Sequence, residues 1–266
     1  MAYALNNAQT SRQPKFSVAI QSDTYKRLIN NTLGDPETAK KFVAEITTVV
    51  SQNPMLSACD AGSIISAGLL AQTINLSLAP SLGFAYVVPY KDKATFQIGY
   101  KGLIQLAIRS GQFERLGVRP VHEGEYAGQD EFGDDKFTFS HEFDANKTVG
   151  YYAYFVLVNG FKKSLYMTIE QVLAHAKQYS KKFAKDGKGL WAEQFDLMAE
   201  KTVLKLLLNR YAPMSTEMHR AIRADQAVVK GDDNYEYVDN ADAKEEPKAE
   251  EAEDEKFEPT DQDTAD

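Results

Sequence analysis

The residues that could do chemistry in this chain are cations at helical spacing. Lys101, Gln105 and Arg109 recur every fourth residue beside Leu103, Ile104, Ala107 and Ile108, so a helix over them has one donor face and one core face. Lys201, Lys205 and Asn209 repeat the spacing beside Val203, Leu204, Leu206, Leu207 and Leu208. Rows of long cationic donors hold phosphates and carry no base-reading pattern of their own. Lys91 and Lys93, on a hairpin tip, and Tyr100, at the entrance of the first helix, extend the first row, and Lys177, Lys181, Lys182, Lys185 and Lys188 lie near the second in sequence. Together they describe a groove that could track a nucleic-acid backbone. The competing interpretation is that each row is only the solvated face of an amphipathic helix.

A second constellation is acidic. Between His122 and Asp144 lie Glu123, Glu125, Asp130, Glu131, Asp134, Asp135, Glu142 and Asp144, with Lys136 the single base. Paired carboxylates beside a lysine can hold Mg²⁺ and activate water, so Asp134-Asp135-Lys136 raises the alternative of a metal-dependent nuclease. Asp-x-Lys also occurs at Asp186, Asp242 and Asp254, so the spacing discriminates little, and a solvated loop between strands explains the cluster better. Other chemistry lacks its residues. No segment reads Gly-x-x-x-x-Gly-Lys-Ser/Thr, so no ATP use is expected. One cysteine and four scattered histidines make no thiolate zinc site, and there is no Gly-x-Ser-x-Gly elbow.

Charge is distributed unevenly. The formal net charge of -8 conceals a stretch, residues 226–266, with 16 Asp/Glu against 4 Lys. The first 225 residues hold 26 Lys/Arg against 22 Asp/Glu, and without the acidic cluster their excess is larger still. A basic body with an acidic tail is the profile of a polyanion binder. Cys59, alone, closes no intrachain disulfide, and the polar first fifteen residues lack a leader's apolar core. Apolar runs stay far below the roughly 18 residues of a membrane span. The expectation is a cytoplasmic protein of a bacterial cell with no membrane partner.

The elements that must position these groups are legible in part. Asp35-Pro36-Glu37 opens a helix carrying Phe42, Val43, Ile46, Val49 and Val50, and Asp60 opens another that runs toward Ala79-Pro80. Period-two segments at 84–90 and 95–100 flank residues 91–94 as a hairpin, followed by a helix over 101–110 closed by Gly111. Strands are expected at 113–121, 136–141, 149–158 and 161–168, with Asn159-Gly160 turning the last pair. Thr168 and Gln171 form a capping box for a helix to Tyr179. A basic loop at 180–189 then leads to one long helix over 190–211, with a further helix over 214–225.

Three blocks carry a resemblance. Leu76-Ser-Leu-Ala-Pro80, Gly83-Phe-Ala-Tyr-Val-Val-Pro-Tyr90 and Ile98-Gly-Tyr-Lys-Gly-Leu-Ile-Gln-Leu-Ala-Ile-Arg-Ser-Gly111 resemble the core of the RecT family of phage single-strand annealing proteins. Trp191, Met198-Ala-Glu-Lys-Thr202 and Pro213-Met-Ser215 agree with it, and the likeness spans residues 35 to 225, in the form found in prophages of Gram-positive, Listeria-like bacteria. The resemblance implies ATP-independent binding of single-stranded DNA and of the annealed duplex, without a cofactor and with the role of Mg²⁺ left open. It further implies a homo-oligomer in ring or helical-filament form, acting in phage homologous recombination with a 5′-3′ exonuclease and a host single-strand-binding protein. It supports Tyr100, Lys101, Arg109, Lys201 and Lys205 as DNA contacts. Leu206 departs from the pattern where a second basic residue is expected, and Arg210 is the candidate to compensate.

The sequence therefore predicts an α+β fold in which helices flank a small, mostly antiparallel sheet of hairpins. It divides into a flexible arm (1–22), a DNA-binding and oligomerisation core (23–225) and a disordered acidic tail (226–266). The predicted function is strand annealing without enzymatic activity, and the predicted DNA-binding residues are Lys91, Lys93, Tyr100, Lys101, Gln105, Arg109, Lys181, Lys182, Lys201, Lys205 and Arg210.

Overall fold

The computed structural model describes residues 14–139, 144, 147–231 and 234–237. Helix α1 (Phe16–Ala19) precedes α2 (Asp23–Leu33), and both Phe16 and Ile20 are buried. The arm expected to reach residue 22 is thus shorter, because these apolar side chains draw residues 16–20 into the core; residues 1–13 lie outside the described residues. In α3 (Pro36–Ser51), Asp35 accepts the Thr38 N–H at 2.8 Å, and Phe42, Ile46 and Val50 face inward. After the short α4 (Pro54–Ser57), Asp60 caps α5 (Ala61–Thr73), which is buried along most of its length. The expected continuation toward residue 79 does not occur: Asn75 takes a φ of +55°, and Leu76 and Leu78 are buried from irregular chain.

Strands β1 (Ala85–Tyr90) and β2 (Lys93–Ile98) form the predicted hairpin, with Tyr90 paired to Lys93 and Lys91 at a φ of +53°. Helix α6 (Tyr100–Arg109) follows directly. Next come β3 (Phe113–His122), a ribbon of β4 (Tyr126–Gln129) and β5 (Asp135–Phe137), then β6 (Thr148–Leu157) and β7 (Lys162–Thr168). The strand expected at 136–141 is shorter and begins earlier, β4 has no counterpart among the expected strands, and residues 140 and 141 lie outside the described residues. Helix α7 (Ile169–Tyr179) has the predicted capping box. The basic loop instead contains α8 (Lys181–Asp186), capped by Ser180. The single long helix is broken at Gln194 into α9 (Leu190–Glu193) and α10 (Phe195–Tyr211), and α11 (Thr216–Ala224) follows.

Two further strands, β8 (Ala227–Val229) and β9 (Tyr235–Tyr237), fall in the stretch assigned to the tail. Ala227, Val228 and Val229 are buried, so the boundary at 226 is corrected: these residues complete a sheet of order β1-β2-β8-β9. A second antiparallel sheet has the order β3-β6-β7. The architecture is α+β as expected, but the hairpins divide among three sheets, β4-β5 forming a two-stranded one by itself and the early hairpin pairing with the chain's late strands rather than with the central meander. Among the described residues, no helix is long and apolar enough to cross a membrane.

Candidate nucleic-acid interface

The hairpin and α6 are joined by a close backbone contact. The Gly99 N–H donates to the Phe84 carbonyl at 2.8 Å, and a Cβ on Gly102 would stand 2.1 Å from that same oxygen. Only glycine allows the chain at 83–84 to pass this close to the start of α6. The approach sets Tyr86 beside the stem of Lys101: a Cβ on Gly83 would meet the Tyr86 hydroxyl at 3.2 Å and the Lys101 Cδ at 3.6 Å. Both side chains are exposed. At the turn, the Asp60 N–H donates to the Asp92 carbonyl at 2.7 Å and the Ala94 N–H to Ser63 Oγ at 2.9 Å, so the start of α5 fixes the tip that carries Lys91. Lys91 is exposed, with its ammonium 5.6 Å from the Tyr90 ring centre.

The other members of the first row are partly engaged. The Arg109 guanidinium donates to the carbonyls of Ile74 at 3.0 Å and Asn75 at 3.1 Å, closing the end of α5. Gln105 is half-buried. Tyr100 packs against the core, and burial, followed by the charge of Glu200, raises its phenol above the ordinary value. Lys93 is not a tip residue but the first residue of β2, and its ammonium meets Glu236 at 3.1 Å; Lys230 shares that carboxylate at 2.7 Å. Lys181 and Lys182 are exposed on α8, which packs on α7, whereas the hairpin packs on α5 and β8. Arg210 is exposed near the end of α10, over the Tyr211 ring at 5.3 Å.

The second row is the main correction. Lys201 and Lys205 converge on Asp225, at 3.1 Å to Oδ1 and 2.7 Å to Oδ2, and Lys205 keeps 29% of its side chain exposed. Oδ1 also accepts the Ile98 N–H at 3.1 Å. The Asp225 side chain is 1% exposed and that of Lys201 is 11% exposed. Burial alone would raise the Asp225 carboxyl, but the two ammonium groups outweigh it and hold the acid below the usual carboxylate range. Burial likewise draws Lys201 below its ordinary value. The carboxylate reaches this place because Gln226, at a φ of +69°, turns the chain out of α11, and its N–H donates to the Phe96 carbonyl at 2.8 Å. The cluster thereby locks α10 and the end of α11 to the segment that opens α6. No spacing rule joins Asp225 to residues 20 and 24 positions away, so the linear pattern carries no sign of it.

The acidic cluster is dispersed among structural partners. Asp134 accepts from Lys163 at 2.6 Å, Asp135 from Tyr126 at 3.3 Å and Gln129 at 3.1 Å, and the buried Glu125 from the His122 N–H at 2.8 Å. Among the described residues, no group of three His, Cys, Asp or Glu converges as a metal site requires; Glu142 lies outside them.

Comparison with known proteins agrees with the arrangement of blocks. The RecT family profile matches residues 40–248. An uncharacterized protein of Bacillus subtilis (strain 168), YqaK, is 36% identical over 243 residues, covering 88% of this chain and 81% of its own. Protein RecT of Escherichia coli (strain K12) is 30% identical over 226 residues, covering 77% of this chain and 81% of its own. The chain belongs to the RecT family, whose members anneal single DNA strands in recombination.

Proposed function

We propose that this RecT-family chain binds single-stranded DNA and anneals complementary strands without ATP, as an oligomer and without catalysing a covalent step. The observation that carries the reading is the family match across residues 40–248, which includes the whole hairpin–α6 unit with its exposed Lys91, Tyr86 and Lys101. Mechanistically, cations on a rigid surface hold phosphates while leaving bases free to be tested by a second strand, and pairing supplies the driving force that ATP supplies in motor-driven exchange. Lys101 and Lys91 are the leading phosphate donors. Arg109 keeps an exposed flank beyond its bonds to the end of α5, and Lys181, Lys182 and Arg210 add charge that DNA reaches without breaking an internal pair. A 5′-3′ exonuclease and a host single-strand-binding protein are the proposed protein partners, with the acidic residues beyond 237 as the region offered to them.

The test is annealing of two labelled complementary oligonucleotides, with and without ATP and with and without Mg²⁺. Duplex formation without ATP, at unchanged strand length, is the expected result. Strands shortened by Mg²⁺ would instead support the nuclease reading.

A further inference from the structure

The sheet β3-β6-β7 has two faces of unequal fate. Tyr151, Ala153, Phe155 and Leu157 of β6 point into the core, so Gly150, Tyr152, Tyr154 and Val156 point outward. Register places Arg119, Tyr152 and Tyr166 in one outward row, Gly117, Tyr154 and Ser164 in the next, and Arg115, Val156 and Lys162 in the third. The β4-β5 ribbon covers the first row: Phe137 lies 4.4 Å from the Tyr152 ring, and Tyr126 stacks on Tyr166 at 5.0 Å with an 18° interplanar angle.

Two tyrosines on this face lie flat over glycines. A Cβ on Gly150 would stand 2.6 Å from the Tyr166 ring, and one on Gly117 would stand 2.9 Å from the Tyr154 ring. Glycine inside a strand weakens it and commonly marks a close approach; here each glycine makes room for a ring to lie along the sheet. The outer face of Tyr166 is occupied by Tyr126. Tyr154 has the same support and is likewise half-buried, and among the described residues its only ring neighbour is Tyr152, nearly parallel to it at 5.8 Å and 21°. Beside it, Lys162 is exposed, and Arg115 is 71% exposed, its ion-pair partner among the described residues being Glu114 at 3.8 Å. Such a surface pair contributes little, so Arg115 can take another anion.

We propose that this part of the sheet, beside the row that meets the β4-β5 ribbon, is a base-stacking platform for single-stranded DNA, with Tyr154 as the stacking ring and Arg115 and Lys162 as phosphate donors. A half-exposed ring backed by a glycine and flanked by cations matches a nucleotide's flat apolar base and charged phosphate. The site rests on the DNA-binding reading above and adds a surface separate from the hairpin–α6 unit.

Oligothymidylate titrations of the full-length protein test it. Tyr154→Leu should weaken binding roughly five- to a hundredfold, the range for removing one base–aromatic stack, and leave the salt dependence unchanged. Tyr154→Phe and Tyr154→Trp should bind like the parent, and oligothymidylate should quench the new indole. Arg115→Ala and Lys162→Ala should each flatten the salt slope by about 0.7. If the parent binds no oligonucleotide, the function itself is overturned and the platform with it. A parent that binds, matched at every salt concentration by Tyr154→Leu, overturns the platform alone. The platform is overturned in the same way if Tyr154→Leu changes assembly but not DNA affinity, which would assign the face to a second copy of the chain. Should Tyr154→Leu fail to fold, Tyr154→Trp decides: quenching supports the site and its absence removes it.

Discussion

Helices α6 and α10 carry the same cationic spacing and use it in opposite ways. On α6, Lys101 is exposed and Arg109 turns back onto the carbonyls that end α5. On α10, Lys201 and the partly exposed Lys205 are both drawn onto the buried Asp225. Spacing of four says that two side chains share a face; it does not say what that face meets. For α6 the neighbour is solvent and a glycine-lined passage. For α10 it is a carboxylate delivered from α11, and charges so placed serve architecture before ligand binding.

The largest way to break this contrast is to remove the element that holds Asp225 in place. Truncation after residue 225 deletes β8 with its buried Val228 and Val229, each worth about 1.5–3 kcal/mol of burial. It should abolish cooperative unfolding in a denaturant titration, whereas truncation after 237 should leave the midpoint where it was. Equal stability of the two truncated proteins would restore the boundary at 226.

Substituting the carboxylate itself comes next. Asp225→Ala strands Lys201 as an unpaired buried charge, a change that typically costs about 3–5 kcal/mol. Lys101→Ala should stay within about 0.5 kcal/mol of the parent, as exposed substitutions do. Comparable destabilisation by both would mean that the two rows are equivalent after all.

Acid should sharpen the distinction, because two groups near α10 titrate in the same sense. Partial burial, followed by the charge of Lys205, pushes the imidazole of the half-buried His175 down to about 4. Its folded value lies below the unfolded one, so the unfolded chain binds the proton first. Stability should therefore decline as pH falls from about 6.5 toward 4. Asp225, also depressed in the folded state, adds a loss below the ordinary carboxylate range, as protonation removes the partner of both lysines. Melting temperatures across this range, repeated with His175→Gln, should show the upper part of the slope disappear; an unaltered slope would place the titration elsewhere.

The smallest effect belongs to α6. Lys101→Ala should lower affinity for all DNA sequences alike and flatten the salt dependence by about 0.7, as expected when one phosphate is no longer neutralised. Lys205→Ala should reduce stability more than it changes that slope. A reversed ranking, read from titrations at several salt concentrations, would return the second row to the DNA surface.

Much of the local structure was legible because its causes are local. Asp35 and Asp60 cap helices through the amides of Thr38 and Ser63, and Thr168 with Gln171 closes the predicted box. The strand expected at 149–158 forms as β6, and Gly111 follows the α6 segment at a φ of +67°. The blocks at 76–111 and 191–215 sufficed for the family and the α+β class, since both reside in residue order. Less was legible where distant segments meet. No local rule separates a lysine awaiting phosphate from a lysine awaiting Asp225, and composition placed 227–237 in an acidic tail although three consecutive apolar residues there complete a sheet begun at Ala85.

What the sequence alone determined is therefore many of the elements, with the caps of α3, α5 and α7, the excess of cations in the body and the kinship with strand-annealing proteins. What only the tertiary structure decided is which charges face water. Lys101 and Lys91 do, while Lys201 and Lys205 are engaged by Asp225; likewise Tyr126 stacks on Tyr166 and not on its counterpart Tyr154. The reason is that exposure belongs to a pair of surfaces rather than to a residue. Helical and strand periodicities fix which side chains share a face, and the partner across that face is set by chain folding over separations that no periodicity spans.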